Sequence, residues 1–510
     1  MEENYERIPQ EMFEFVQTDA RIHDTKFDTK ARGYFADAFI RFKKNKSSVA
    51  AAIIIMFLIL FAIVAPIISP YTVRQRDNIL INYPPFIEAV ADANIGLFDG
   101  GVTYDSQNET QMLMFRALYE ETGKNPVISI LGTQEKETIK RGQTVITKVY
   151  SLRINRYYAL GMKYMTLSYE DFAKIQEYQN ETGIQVIYPY VESKDIAGIT
   201  DNPNIWYKVS DNKGTPALDK DGNLVPVYSK STSKAGAEYN SIRIEGDDGS
   251  YIYSYTKSGA VQCRINYYNY YKYTVGHAPM FLFGTNNIGQ DLFCSIGVGA
   301  RFSLIFALIV SAINLTIGAV YGAVQGYYGG AVDLILDRIA DILYEVPFMV
   351  VATLFQLHLA SKVGVVPSFL FAFVLTGWIG MAALTRKQFY RFKGQEYVLA
   401  AKTLGARDSR IMFKHIFPNA LGTIITSCVL VIPGVISSET TLTYLGIINL
   451  SEFVGTSIGT LMSQGQASMT SSPHAMFFPA LFVSLLLITF NLFGNGLRDA
   501  FNPSTRGVED

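Results

Sequence analysis

Residues 396–408 read Glu396-Tyr-Val-Leu-Ala-Ala-Lys-Thr-Leu-Gly405-Ala-Arg407-Asp408. The stretch is too polar to cross a membrane, yet it lies between two runs apolar enough to do so. Tyr397, Ala400, Ala401 and Leu404 recur at three- and four-residue spacing, which predicts a short helix carrying all four on one face. The two alanines keep that face shallow enough for the groove of another protein. Gly405 suits the left-handed position that ends a helix, and Asp408 suits the cap of a second one. That second helix would run through Ile411 and His415 into the apolar segment from Ile416, so a push on the short helix would move a membrane span.

Outward from this point, hydrophobic residues gather in runs of about 18 or more, the length that crosses some 30 Å of hydrocarbon. Six spans are predicted, at 49–69, 302–326, 339–360, 366–384, 416–437 and 476–493. The first follows 48 mostly polar residues and has no small-residue cleavage site, so it is expected to remain as an anchor rather than act as a signal peptide. Arg41, Lys43, Lys44 and Lys46 precede it, and eight Lys and Arg residues fall between Arg386 and Lys414. Because cytoplasmic loops carry the excess of basic residues, both termini and the 395–405 helix are expected in the cytoplasm of a bacterial cell. A net charge of −1 gives no reason to expect nucleic acid as a partner.

The expected division is a cytoplasmic segment 1–48, the first span, an extracellular domain 70–276, an interfacial segment 277–301, a five-helix core 302–497 and a cytoplasmic tail 498–510. Residues 70–276 suffice for a domain with its own core. Tyr251 to Tyr255 and Val261 to Tyr267 alternate like half-buried strands. Ser168 to Thr182 carries Tyr169, Phe172, Ile175 and Tyr178 at helical spacing, while Asp219-Lys-Asp-Gly222 and Asp247-Asp-Gly249 have turn chemistry. A mixed α+β domain is predicted. Its function stays open between docking a solute-binding protein and shielding the pore mouth or pairing with another subunit. Cys263 is a lone thiol, which excludes an internal disulfide framework.

Glu-Tyr-Val-x-Ala-Ala-x-x-Leu-Gly-Ala followed by His415-Ile-Phe-Pro-Asn419 resembles the coupling loop of ATP-binding-cassette importer permeases, in particular the C-type subunit of the oligopeptide, dipeptide and nickel family. The likeness extends in order through Phe283 to Asp291, Gly299 to Leu304, Gly326-Tyr-Tyr-Gly-Gly330, Thr376-Gly-Trp378, Leu445-Gly446 and Phe490 to Ala500. It implies the six-helix fold of type I importers. It further implies a homologous B-type permease subunit, two ATPase subunits and an extracellular solute-binding protein as partners in the lipid bilayer, with peptide as substrate. Nickel complexes, other small solutes or a non-transporting sensor are the alternatives. The resemblance assigns ATPase coupling to Glu396, Tyr397, Ala400, Ala401, Leu404, Gly405 and Arg407. The long 70–276 insertion departs from the family, as do Asn286 and Gln290, where an acid and an arginine are usual.

No Gly-x-x-x-x-Gly-Lys-Ser/Thr loop occurs, so ATP and Mg²⁺ are expected on partner subunits and no cofactor or enzymatic site in this chain. Five scattered histidines form no metal motif. Asp333, Asp337, Asp341 and Glu345 share a stripe at the start of the third span, with Arg338 placed to pair with Asp341. Glu345 is a candidate for the inner mouth of a pore, and Glu439 either lines the pore or holds helices in register. Gly318, Gly322 and Gly326 leave one side of the second span without side chains, where a neighbour can pack closely.

Overall fold

The computed structural model describes residues 34–93, 96–140, 143–192, 220–222, 242–243, 246–450 and 455–501. Among the described residues five helices are long and apolar enough to cross a membrane: Lys46–Ile68, Leu292–Tyr328, Val365–Phe392, Asp408–Tyr444 and His474–Phe501. A bent pair, Gly330–Tyr344 and Phe348–His358, qualifies as one more span only if its two parts are taken together. The expected continuous span at 339–360 is therefore corrected to two helices meeting at 72°. Pro347 is the physical reason. It lacks a backbone N–H and disfavours helical geometry at Val346, so the first helix ends and Pro347 becomes the N-cap position of the second.

Other boundaries shift outward. Asn45 caps the first span, its side chain accepting from the Ser48 N–H. The second span starts within the segment expected to be interfacial, because the Asp291 carboxylate accepts the Cys294 N–H and caps the helix at Leu292. The last helix runs on to Phe501, into the expected tail.

Proline also shapes the first span without breaking it. Pro66 cannot donate to the carbonyl four residues back, which leaves the Ala62 oxygen without its helical partner. Arg301 of the second span supplies it: Nη2 donates to Ala62 O at 3.4 Å and to Ile63 O at 3.1 Å. Close by, the Pro66 ring lies where a Cβ at Gly297 would stand, 2.7 Å from Cδ. The two spans thus meet through a glycine, a proline and an arginine.

The three glycines of the second span face the helix Ile379–Phe392, as their spacing predicts. A Cβ at Gly318 would lie 2.6 Å from the Trp378 oxygen, one at Gly322 2.9 Å from the Arg386 nitrogen, and one at Gly326 2.6 Å from the Phe389 Cβ. Tyr328 then gives way to Gly329 and Gly330, whose φ angles of +67° and +54° reverse the chain into the next helix.

Between the first two spans lies a mixed domain of strands and helices. Strand Ala260–Asn266 is central, pairing antiparallel with Met162–Leu167 on one side and with Ile187–Tyr188 and Ser254–Lys257 on the other. A second sheet orders Gly101–Asn108, Gln143–Asn155 and Val127–Lys140. The helix Tyr169–Thr182 is capped by Ser168 and ends at Gly183, φ +70°. The expected strand from Tyr251 is shorter and begins at Ser254, and Tyr267 opens a helix instead of extending its strand. The turn at Gly249 forms, with the Gly246 N–H donating to Ser250 O at 2.8 Å. Asp219 lies outside the described residues; Gly222 has φ +82°.

The domain's tyrosines are mainly core. Tyr71, Tyr83, Tyr157, Tyr267, Tyr268 and Tyr271 bury with Phe86 and Phe281, and Phe86 stacks on Tyr157 with ring centroids 4.2 Å apart. Aromatic pairs of this kind add about 0.5–1.5 kcal/mol beyond the area they bury. Nearby, Arg264 is fully buried on the central strand and grips Glu121 with two bonds of 2.6 and 2.7 Å.

Candidate coupling site and translocation path

The short polar helix forms over Glu396–Thr403 and stops where expected, with Gly405 at φ +77°. Its faces divide differently from the expectation. Val398 and Ala401 are buried, whereas Tyr397, Ala400 and Leu404 are exposed, Leu404 to 88%. Ala401 therefore belongs to the inner face rather than to the ridge expected with its neighbours, because Val398, three residues before it, turns that side of the helix inward. Val398 packs with Ala323, Phe389, Ile411, Met412 and Ile416, which ties the helix to Leu292–Tyr328, Val365–Phe392 and Asp408–Tyr444, the second, fourth and fifth spans when the bent pair is counted as the third. Glu396 begins the helix in its first turn, and Arg407 is exposed.

Asp408 does not cap the next helix. Arg407 occupies the cap position without a side-chain bond, and the Asp408 Oδ1 accepts the Tyr327 hydroxyl at 2.6 Å. The fifth span is thus attached to the end of the second. From Asp408 the helix is continuous to Tyr444, passing through a π-helical turn at Ile411–Ile416. The Asn419 amide, one turn further, donates to the Tyr397 hydroxyl at 3.3 Å and to His415 O at 2.8 Å. Backbone continuity, the Val398 cluster and Asn419 all connect the short helix to this span.

The acidic stripe divides in two. Arg338 pairs with Asp341 at 3.2 Å, as its spacing predicts, on an exposed surface where such a pair contributes little. The stronger arrangement was not legible from that helix alone: Arg386 donates to Asp333 at 2.6 Å and to Asp337 at 2.8 Å, and Tyr390 donates to Asp333 at 2.6 Å. Lys393 completes it by donating to Gly326 O at 3.0 Å. The glycine contacts supply the missing signal, since they bring the Arg386 backbone against the second span and its guanidinium within reach of the acids after the Gly329 turn. Glu345 is exposed at the break before Pro347.

Glu439 has no exposed surface, and its Oε2 accepts the Ser303 hydroxyl at 2.8 Å, joining the fifth span to the second. It does not line the cavity found among the spans. That cavity, about 380 Å³, is bounded by Asn314, Phe348, Phe373, Val431, Gly434 and Ser438. Asn314 is its buried polar member, donating weakly to Phe373 O at 3.5 Å. An asparagine halfway along an apolar run was the available sequence signal. Toward the mixed domain, Asn286 and Gln290 form a neutral network: the Asn286 amide donates to Gln290 at 3.0 Å and to Gln464 at 3.1 Å, and Gln290 donates to Val73 O. Among the described residues no group of three or more His, Cys, Asp or Glu side chains is placed to hold a metal ion.

Residues 314–507 match the family described as binding-protein-dependent transport system inner membrane component, and residues 33–85 match the N-terminal membrane domain of oligopeptide transport permease C. The oligopeptide permease protein OppC of Bacillus subtilis is 41% identical over 224 residues, covering 44% of this chain and 72% of its own length. The dipeptide permease protein DppC of the same organism is 38% identical, covering 44% and 69%. The glutathione permease protein GsiD of Salmonella paratyphi A is 33% identical, covering 48% and 78%. A multi-pass helical membrane protein with these matches at both ends of its permease portion belongs to the binding-protein-dependent transport family, as an OppC/DppC-like ABC permease.

Proposed function

We propose that this chain forms one half of the alternating-access pore of an ATP-driven oligopeptide importer and takes its driving force through the helix Glu396–Thr403. A homologous permease subunit supplies the other half, two ATPase subunits carry ATP and Mg²⁺, and a solute-binding protein delivers peptide on the side of the mixed domain. Basic residues between Arg386 and Lys414 support a cytoplasmic place for the helix, and hence an extracellular one for residues 70–276. The names of the similar permeases, for oligopeptides, dipeptides and glutathione, support a peptide substrate.

The observation that carries the coupling is the two-sided character of the helix. Tyr397, Ala400 and Leu404 form an outer surface open to a partner, while Val398 is seated on the start of a 37-residue helix that crosses the membrane. Displacement of the outer face is transmitted through Val398, Ile411 and Met412 as packed contacts that do not compress. The Tyr327–Asp408 bond carries the same displacement to the second span. The cavity by Asn314 lies between those helices, so their relative movement changes its walls.

The test is ATP-driven uptake of labelled peptides into proteoliposomes holding the full complex. With Ala400→Trp, uptake is expected to fall about tenfold or more while the chain still inserts and peptide binding persists. Wild-type uptake by Ala400→Trp would overturn the coupling role. ATP turnover without uptake of any peptide by the unaltered complex would overturn the peptide assignment and leave the permease family intact.

A further inference from the structure

Beyond the permease portion, the mixed domain holds a groove of about 350 Å³ lined by Phe172, Gln176, Gln179, Gln185, Ile187 and Tyr253. We infer that this groove binds the backbone of an extended peptide, with Gln179 and Gln185 reading the C=O and N–H of one of its residues as a neighbouring β-strand would. The inference deepens the peptide reading above and rests on it for the identity of the ligand.

The geometry begins at the short strand Ile187–Tyr188. Its partner strand takes one side, since Ile187 lies opposite Ile265 and the Asn266 N–H donates to Val186 O. Alternation along an antiparallel pair then turns the backbone groups of Ile187 to the other side. Both are met by side-chain amides. The Ile187 N–H donates to Gln179 Oε1 at 2.6 Å, and Gln185 Nε2 donates to Ile187 O at 3.2 Å. Gln179 Oε1 also accepts the Val186 N–H at 2.7 Å, which fixes which end of that amide is the oxygen.

The two glutamines thus repeat, one layer out, the donor and acceptor pattern of the strand edge. Gln179 Nε2 remains as a donor and Gln185 Oε1 as an acceptor, both on residues that line the groove. A peptide carbonyl accepts from the first and a peptide N–H donates to the second, the pairing used in strand addition. Phe172 and Tyr253 supply apolar surface for the side chains that alternate from such a backbone, and Tyr253 is exposed. No lining residue carries a charge, so the groove suits the neutral interior of a peptide rather than its termini.

The test uses the complete chain with its partner subunits in nanodiscs and dansyl-labelled pentapeptides of alternating alanine and leucine, read by fluorescence anisotropy in the absence of the solute-binding protein. Binding is expected, and methylation of alternate backbone nitrogens in the peptide should weaken it about tenfold or more, because each lost N–H leaves an acceptor unpaired. Gln179→Glu keeps the oxygen that holds Val186 and Ile187 but replaces the Nε2 donor with an acceptor, and a similar loss is expected. Tyr253→Ala, at an exposed site that leaves the fold intact, should weaken binding less. Equal binding of methylated and unmethylated peptides, or unchanged affinity in Gln179→Glu, would overturn the inference. So would binding of maltotriose at this groove in place of the peptides. Peptide uptake that continues in wild-type measure while Gln179→Glu and Tyr253→Ala bind peptide normally would overturn the groove and leave the importer standing.

Discussion

The two halves of this molecule reach close packing by different means. In the spans, Gly318, Gly322 and Gly326 let the helix Ile379–Phe392 approach until backbone touches backbone, and Gly297 makes room for the ring of Pro66. In the mixed domain, six tyrosines and two phenylalanines fill one core. The solvent explains the contrast. Removing aromatic surface from water drives folding of the mixed domain, whereas lipid tails are as apolar as any side chain, so helices in the bilayer gain chiefly from close van der Waals contact and bridging polar groups. Tyrosine bulk fills the core of one half, while the other adds glycine-mediated helix contacts to its packed phenylalanines.

Alkaline titration should separate the halves most sharply. Burial pushes the phenols of Tyr71 and Tyr83 up to about 12, against which the Tyr271 and Met280 contacts of the first and the Arg156 guanidinium near the second act only in part. Burial raises Tyr157 well above the ordinary value as well. A phenol held neutral more strongly in the folded than in the unfolded chain contributes stability that is complete below about pH 10 and is lost as pH rises through the folded value. The mixed domain is expected to lose its strand signal in circular dichroism between about pH 10 and 12 while helical signal persists. Strand and helix signals that vanish together at a lower pH would break the comparison.

Next in size is Arg264→Met, which leaves the buried Glu121 carboxylate without its two-bonded partner and should cost about 3–5 kcal/mol, measured by urea unfolding in nanodiscs. In the membrane half, Gly322→Val places a branched side chain against Ala382 and Arg386 and should cost about 1–3 kcal/mol, seen as a loss of monodisperse protein on size exclusion. Tolerance of that valine would mean that the glycine stripe is mere membrane composition. Smallest is Gly405→Val: no atom lies within 4 Å of a Cβ there, so only the positive φ is strained, at about 1–2 kcal/mol. Insertion is expected to be normal and uptake reduced; full uptake would remove Gly405 from the coupling site.

Features that depend on neighbours in the chain were legible in advance. The left-handed Gly405, the helix between Ser168 and Thr182 and the Arg338–Asp341 pair all follow from residues close to one another in the chain. Pro347 was visible too, but apolarity on either side of it suggested one span where the missing N–H produces two helices. The inward side of Ala401 depended on what packs behind Val398, and the partner of Asp333 lay 53 residues away at Arg386. The cavity at Asn314 required four helices to be assembled before its lining was apparent.

The amino-acid sequence by itself determined that the chain crosses a membrane several times, that a mixed domain interrupts the first and second spans, and that a short helix ends at Gly405. Hydrophobic run length, turn chemistry and local backbone preference set these, and none depends on distant residues. Only the tertiary structure decided which face of that helix is open, which acids Arg386 holds, that Glu439 joins Ser303 rather than lining the cavity, and that Gln179 and Gln185 complete the edge of a strand. Each of these pairs residues from separate elements, and hydrogen bonds and packed contacts between them exist only at the few ångströms that folding imposes.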